Sequence, residues 1–146
     1  MDGGKSCPEG WHLPSAEEWQ TLFDFVGGRK IAGEKLKATS GWDERDGKSG
    51  DGTDEFGFAA LPGGYGDSDP DSNKWFPSSE GYYGEWWTSD FEEFDGVVRG
   101  VIRYMECTSG RIGRSVALNQ FKMFSVRCVK DNKSKEQGGQ NEKKES

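Results

Sequence analysis

This 146-residue chain has one histidine, three cysteines and fewer basic than acidic residues. These shortages exclude several kinds of partner and site. Its 19 lysines and arginines stand against 26 acids, a net charge of -7, whereas binding to nucleic acid needs a basic surface. We therefore expect no nucleic-acid partner and no charge-driven attachment to anionic lipid. No apolar run reaches the roughly 18 residues of a membrane helix, so no membrane span is expected. The cysteines include no C-x-x-C pair, which excludes zinc-knuckle and thioredoxin sites.

Glycine and aromatic residues are abundant instead. The chain has 22 glycines and 6 Trp, 4 Tyr and 9 Phe, and its hydrophobic fraction of 32% is normal once glycine is counted as apolar. Charge is uneven, since residues 43–95 carry a net of -12 and residues 96–128 a net of +5. The acidic middle part also holds 11 of the 19 aromatic residues, which indicates long, shaped loops laid over a core.

A helix is predicted directly after Pro14. Ser15 is a suitable N-cap, and Glu18 three residues later completes a capping box. An apolar stripe follows at helical spacing, formed by Trp19, Leu22, Phe23 and Val26. Gly27-Gly28 ends the helix, because glycine adopts the left-handed conformation of a helix C-terminus.

The remaining pattern predicts a mixed α+β domain. A second, shorter helix is expected over residues 30–38. Strands are expected over residues 56–61, 82–89, 97–103, 115–118 and 124–129. We expect residues 1–6 to be a short lead in which Met1 is an added start, and residues 131–146, which contain no aliphatic or aromatic side chain, to be a disordered polar tail.

The cysteines leave two alternatives. A disulfide between Cys7 and Cys128 would tie the two ends of the domain together and close a loop of about 120 residues, which contributes up to about 4–5 kcal/mol in the chain-entropy model. It would imply an oxidising compartment and leave Cys107 unpaired. Alternatively, all three cysteines are reduced thiols in the core.

Six sequence blocks occur in a fixed order over most of the chain. They are CPEGWHLPSAEEW at 7–19, AGEKLK at 32–37, GW at 41–42, GTDEFGFAALPGGY at 52–65, WWTS at 86–89 and FSVRCVKD at 124–131. Together they closely resemble the Fibrobacter succinogenes major paralogous domain (FISUMP) family, and they define a domain over residues 7–130.

The resemblance implies a fold and a location. The family is similar to the C-type-lectin-like fold in its formylglycine-generating-enzyme branch, with two helices, a small twisted antiparallel sheet, paired termini and a long-loop region. Family members resemble secreted or lipid-anchored bacterial proteins, so an extracellular, cell-surface or periplasmic location is expected. The expected core residues are Trp11, Trp19, Leu22, Phe23, Val26, Trp42, Phe58, Leu61, Trp86, Trp87 and Val126.

An enzymatic function is the less favoured alternative. Formylglycine-type oxidation uses a pair of cysteines, but Cys107 has no partner nearby in sequence, and a three-histidine iron site cannot be built from His12 alone. A degenerate or unrecognised enzyme of this class would need Cys107 or His12 exposed in a cleft beside a perturbed acid.

Calcium is a candidate cofactor. Asp67, Asp69, Asp71 and Asn73 alternate as at the start of a calcium-binding loop, although Ser72 and Ser78 replace the expected glycine and glutamate. A second acidic cluster consists of Asp51, Asp54 and Glu55. The alternative is that both stretches are solvated acidic loops.

Acids and amides mixed with aromatic residues suit the recognition of a glycan or of a protein surface. The expected ligand-binding residues are Tyr65, Asp67, Asp69, Asp71, Asn73, Trp75, Tyr82 and Tyr83. We therefore expect a non-catalytic extracellular or cell-surface binding module, with a glycan or a surface protein as its partner. A structural unit of a larger surface lipoprotein or adhesin is a further alternative.

Overall fold

A computed structural model describes residues 6–69, 71–72, 74–117 and 121–132. Within these residues the chain forms two helices and eight strands. Their bounds are β1 Trp11–His12, α1 Ala16–Phe25, α2 Ala32–Leu36, β2 Tyr65–Asp69, β3 Lys74–Ser78, β4 Tyr83–Phe94, β5 Val97–Glu106, β6 Ile112–Val116, β7 Lys122–Met123 and β8 Val129–Lys130. In this part of the chain, neither helix is long and apolar enough to span a membrane.

The described strands form three antiparallel sheets, with the orders β1-β8, β3-β2-β7 and β4-β5-β6. This architecture confirms the mixed α+β class, although three small sheets replace the single small sheet that we expected. The two ends of the domain pair as the resemblance implied, since Trp11 lies opposite Lys130 in the β1-β8 sheet. The likeness to the C-type-lectin-like fold stays a prediction.

Helix α1 begins where its capping residues predict. The Ser15 hydroxyl accepts the Glu18 N–H at 3.0 Å, and the Glu18 carboxylate accepts the Ser15 N–H at 2.9 Å. Gly27 and Gly28 follow the C-cap with φ values of 113° and 102°, a conformation that glycine adopts without strain. Helix α2 is shorter than predicted at both ends. Its N-cap Ile31 makes no side-chain capping hydrogen bond, and Lys37 after its last residue is extended and bridges Ala60.

Strands β4 and β5 form a long hairpin. Their connection is the two-residue turn Asp95-Gly96, whose φ values of 50° and 72° have the sign required by a type I′ turn. Because this turn matches the twist of the paired strands, β4 continues to Phe94, five residues beyond its predicted end at residue 89.

Several local predictions are wrong. Residues 56–61 form a turn and a single bridge between Lys37 and Ala60 instead of a strand. Residues 65–78, which we expected to be a loop, contain the β2-β3 hairpin. Strand β6 begins three residues before the predicted strand 115–118, whose last residue lies outside the described residues.

The predicted last strand, residues 124–129, is broken for a different reason. Ser125 is held by the backbone of β4, since its N–H donates to the Glu85 carbonyl at 2.9 Å and its carbonyl accepts the Trp87 N–H at 3.1 Å. After β7, the chain therefore forms a single parallel bridge with Trp86 of β4, and it pairs with β1 only from Val129 onward.

Two clusters of apolar side chains flank β4. The larger packs α1 and α2 on the β4-β5-β6 sheet, and the smaller lies on the opposite face. Predicted core residues that are buried are Trp19, Phe23, Val26, Trp42, Trp86 and Trp87, while Leu22 and Phe58 are partly buried against the larger cluster.

Three predicted core residues are exposed, which corrects the sequence analysis. Trp11 is 44% exposed because it belongs to the two-stranded β1-β8 sheet, and Leu61 is 63% exposed in the irregular segment before β2. Val126 is 45% exposed. Its neighbour Arg127 covers the Phe58 ring at 3.7 Å, and successive side chains of an extended chain face opposite ways.

The disulfide between Cys7 and Cys128 joins the two ends of the domain covalently, as one of the two alternatives predicted. Cys107 is the remaining free cysteine of the described residues. Of the predicted tail, Asp131 and Asn132 are described, and the Asp131 N–H donates to the Gly10 carbonyl at 2.9 Å. Residues 133–146 and residues 1–5 of the predicted lead lie outside the described residues.

Removal of this disulfide tests its contribution to stability. Replacement of both Cys7 and Cys128 by alanine should lower the free energy of unfolding by about 2–5 kcal/mol, because the unfolded chain loses its long closed loop. Denaturant unfolding measures the loss. Thiol titration of the denatured wild-type protein should find one thiol before reduction and three after it. Three thiols before reduction would contradict the bond.

Candidate functional site

The sheet of β3, β2 and β7 gathers half of the predicted ligand-binding residues. These are Tyr65, Asp67, Asp69 and Trp75. Strand β7 pairs with β2 so that Gly66 lies opposite Met123 and Asp67 lies opposite Lys122. Because directly opposed residues share a face, the sheet presents one glycine-containing face and one charged face.

The first face carries a shallow apolar groove of about 370 Å³. Gly66 forms its floor between Pro77 and Met123, and Trp75 follows on the same face of β3. A Cβ atom at Gly66 would lie 3.2 Å from the Met123 Cβ, so a larger residue there would narrow the groove. Trp75 is 47% exposed. An exposed indole beside a flat floor offers a stacking surface for an apolar ligand face.

The opposite face is charged. Lys122 lies between two side chains of β2, with its Nζ 2.7 Å from the Asp67 carboxylate and 4.1 Å from the centre of the Tyr65 ring. The salt bridge and the cation–π contact hold the ammonium group in one place. The Tyr65 ring packs in turn near Phe124, with 6.3 Å between ring centres.

A smaller cavity of about 170 Å³ lies where this charged face meets the β4-β5-β6 sheet. Its polar lining includes Glu85 of β4, Ser115 of β6 and Lys122 of β7. Burial raises the pKa of the Glu85 carboxyl, and the positive charge of Lys122 opposes that shift. Tyr65 and Phe124 line both this cavity and the groove.

Two predicted ligand-binding residues lie elsewhere. Tyr82 and Tyr83 pack against each other, with 4.6 Å between their ring centres. The Arg45 guanidinium covers the Tyr82 ring at 5.2 Å, and the Tyr83 ring contacts Tyr104 at 6.1 Å. Neither tyrosine lines the groove, so the structure separates them from Trp75.

The alternating acids of the proposed calcium loop are used in a turn. The Asp69 carboxylate accepts the Ser72 hydroxyl at 2.7 Å and the Asp71 N–H at 2.9 Å. The hydrogen bond from Ser72 lowers the pKa of Asp69, and that from Asp71 acts in the same direction. Asn73 lies outside the described residues.

The second acidic cluster is divided among separate contacts. Asp51 accepts the Trp42 N–H at 3.0 Å, Asp54 accepts the Ala59 N–H at 2.7 Å, and Glu55 pairs with Lys35 at 3.5 Å. Across the described ranges, no group of three or more His, Cys, Asp or Glu side chains is arranged to hold a metal ion. The calcium-site hypothesis for these three residues stays a prediction, and the contacts described here give it no support.

Sequence reasoning missed several residues of the site. Gly66, Glu85, Lys122 and Met123 were not among the predicted ligand-binding residues, although each lines the groove or the cavity. Only the pairing of β7 with β2 brings Lys122 and Met123 to this sheet. A two-residue strand has no periodicity that a sequence pattern could detect.

A polar cleft of about 400 Å³ lies beside Cys107. Lys37, which is 3% exposed, donates from its Nζ to the carbonyls of Glu106 and Ser109 at 3.2 Å each. Burial lowers the pKa of Lys37, and the nearby Cys107 and Asp51 act in the opposite direction. Cys107 itself is 6% exposed, so of the two residues that the enzyme alternative could expose only His12, whose side chain is 39% exposed, is accessible.

His12 joins the two ends of the domain. Its Nδ1 lies 2.5 Å from the Asp131 carboxylate and its Nε2 lies 2.7 Å from the Glu18 carboxylate. The hydrogen bond with Asp131, followed by that with Glu18, raises the pKa of His12. Burial alone would raise the pKa of Glu18, but the Ser15 N–H and His12 together lower it. Both ring nitrogens of His12 are therefore held by carboxylates.

This contact predicts a pH window for stability. The contribution of His12 is complete below its ordinary pKa of 6.5 and is lost as the pH rises through its raised folded-state pKa. The contribution of Glu18 is present above its ordinary pKa of 4.5 and is lost as the pH falls through its lowered folded-state pKa. The contact should therefore stabilise the protein most between pH 4.5 and 6.5.

A His12→Gln variant tests this prediction, because glutamine cannot become a cation and the chain has no other histidine. We expect the wild-type protein to have the higher free energy of unfolding. Denaturant unfolding at a series of pH values from about 5 to 9 should show this difference from the variant decreasing as the pH rises. An equal difference between the two proteins at every pH would rule out the charged form of His12 as the stabilising species.

Comparison with known proteins gives one family match. The family model described as the Fibrobacter succinogenes major domain matches residues 1–130. That span contains all ten described helices and strands, and it confirms the resemblance read from the six sequence blocks. No curated protein and no solved structure matches the chain.

Proposed function

The chain belongs to the Fibrobacter succinogenes major domain family, and we propose that this member is a non-catalytic binding module that takes a glycan in the groove of the β3-β2-β7 sheet. A sugar ring has an apolar face, which stacks on an aromatic side chain, and an edge of hydroxyls, which bind to polar groups. The groove offers the first surface, and the polar lining of the cavity that adjoins it at Tyr65 and Phe124 offers the second.

One observation carries the proposal. Trp75 leaves about half of its surface exposed beside a floor without a side chain at Gly66, although a free-standing indole gains more by burial in a core. Pro77 and Met123 border this floor and keep its surroundings apolar. A flat apolar floor bordered by an indole suits a ring-shaped ligand better than an extended side chain.

The disulfide supports a location outside the cytoplasm. Bonds such as Cys7–Cys128 persist in oxidising compartments and are rare where thiols are kept reduced. We therefore propose that the domain works in the periplasm, at the cell surface or outside the cell, as a secreted or lipid-anchored protein would.

The geometry gives less support to the enzyme alternative. A catalytic histidine needs one ring nitrogen that reaches a substrate, whereas His12 is held by carboxylates at both nitrogens. A nucleophilic cysteine needs partial exposure, whereas Cys107 is buried. The groove contains neither residue.

A Trp75→Ala variant tests the proposal. The wild-type protein is first applied to a glycan array, with calcium and with a chelator, and the strongest oligosaccharide is then titrated by calorimetry. Loss of the stacking surface should weaken its binding about tenfold or more, as is common for a central aromatic residue of a binding site. The unfolding midpoint should change little, because Trp75 is exposed.

Phe94→Ala is the matched control. Phe94 is also an exposed aromatic residue, but it lies at the tip of the β4-β5 hairpin and outside the groove, so its removal should leave binding unchanged. Equal losses in both variants would indicate non-specific adhesion. An empty array, or binding only to an immobilised surface protein, would contradict a glycan ligand.

A further inference from the structure

A carboxylate oxygen is buried without a partner in the cavity behind the groove. Among the described residues, no hydrogen-bond donor reaches Oε2 of Glu85, and the atom is shielded from solvent. Glu85 lies on β4 opposite Tyr104, and its side chain lines the cavity together with Ser115 and Lys122. Lys122 already binds Asp67 at 2.7 Å.

This arrangement is unfavourable for folding alone. An acceptor that loses its water without gaining a donor lowers stability, and an apolar side chain of similar size avoids that loss. Glu85 lines a cavity of about 170 Å³, which holds several times the roughly 30 Å³ of one water molecule, so a donor in the cavity reaches this oxygen once the carboxylate turns toward it. Real proteins keep such unfavourable groups mainly at functional sites, which makes this oxygen a candidate ligand contact.

The neighbouring charges select the class of donor. An ammonium group would be attracted by Glu85 but repelled by Lys122, and a carboxylate or sulfate would be attracted by Lys122 but repelled by Glu85. An uncharged hydroxyl meets neither obstacle, since it donates to Glu85 and accepts from Lys122. Tyr65 and Phe124 line both the cavity and the groove, so a ligand on the groove has polar groups close to its edge.

We propose that Glu85 and Lys122 form a hydroxyl-binding subsite, and that the ligand of this domain is therefore an uncharged carbohydrate. The inference rests on the proposed glycan-binding function and adds the chemical class of the sugar. It also assigns binding roles to two residues on different sheets, since Glu85 belongs to β4 and Lys122 to β7.

A Glu85→Met variant distinguishes a binding role from a structural one, because the two predict opposite changes in stability. Methionine removes the unpartnered acceptor and fills similar space, so the melting temperature should rise by about 3 °C or more. Affinity for a neutral oligosaccharide should fall about 10- to 100-fold, as expected for the loss of a hydrogen bond to a charged group. A lower melting temperature with unchanged affinity would overturn the inference.

Two further variants sharpen the result. Glu85→Gln keeps an acceptor oxygen in the cavity and should retain more affinity than Glu85→Met. Glu93→Met makes the same replacement at an exposed position of the same strand and should alter neither stability nor affinity. Equal affinity losses for Glu85→Met and Glu93→Met would overturn the inference.

The probes are hexasaccharides of glucose, mannose, galactose and xylose, compared with a hexamer of galacturonate and a hexamer of glucosamine. The wild-type protein should bind at least one neutral hexamer and bind both charged hexamers at least tenfold more weakly. Preference for the glucosamine hexamer would overturn the hydroxyl assignment, because Glu85 would then be recognising an ammonium group. Preference for the galacturonate hexamer would overturn it as well.

These outcomes separate the two proposals. Binding that requires Trp75 but is unchanged in Glu85→Met would overturn the subsite and leave the glycan-binding function standing. Absence of binding to every probe and to the array would overturn both.

Discussion

Two adjacent tryptophans of β4 face opposite sides of the strand, and this alternation determines where the other layers can pack. Trp86 contacts Trp19 of α1, with 6.1 Å between ring centres, whereas Trp87 contacts Phe124 at 4.8 Å. One strand thereby joins the helical core to the β3-β2-β7 sheet, because successive side chains of a strand serve different faces. Phe124, which lines the groove, is anchored by its contact with Trp87.

Glycine makes this packing feasible. A Cβ atom at Gly84 would lie 2.5 Å from the Trp86 ring, and one at Gly100 would lie 2.5 Å from the Trp87 ring. The rings therefore lie flat over bare backbone, and the Tyr104 ring does the same over Gly113. Glycine in a strand normally weakens it, but an aromatic neighbour that covers the exposed backbone offsets part of that loss. The high glycine content thus serves the sheet as well as the turns.

Sequence patterns that span a few residues predicted where helix α1 begins. The positions of the ligand-binding candidates depend instead on pairing between distant segments, which such patterns do not show. The capping box at Ser15 gave the start of α1 correctly, because its donors and acceptors are three residues apart. Half of the predicted ligand-binding residues share one sheet, but Tyr82 does not, since its ring packs under Arg45. The alternation of Asp67, Asp69, Asp71 and Asn73 concealed strand β2, which pairs with β3 and, through Asp67, contacts Lys122 55 residues away. No period within the segment could have revealed that contact.

The pairing of the strands explains part of the uneven charge distribution along the sequence. The acidic middle part and the basic segment after it form the salt bridges Asp67–Lys122 and Glu92–Arg114. Part of the negative charge is therefore neutralised by basic residues of the same domain. Other acids of the middle part are exposed, and they include Asp71 at the turn between β2 and β3. These exposed acids would repel a polyanion. They would attract a polycation, but a polycation would not match the apolar floor of the groove. These charges are compatible with the uncharged ligand that we propose.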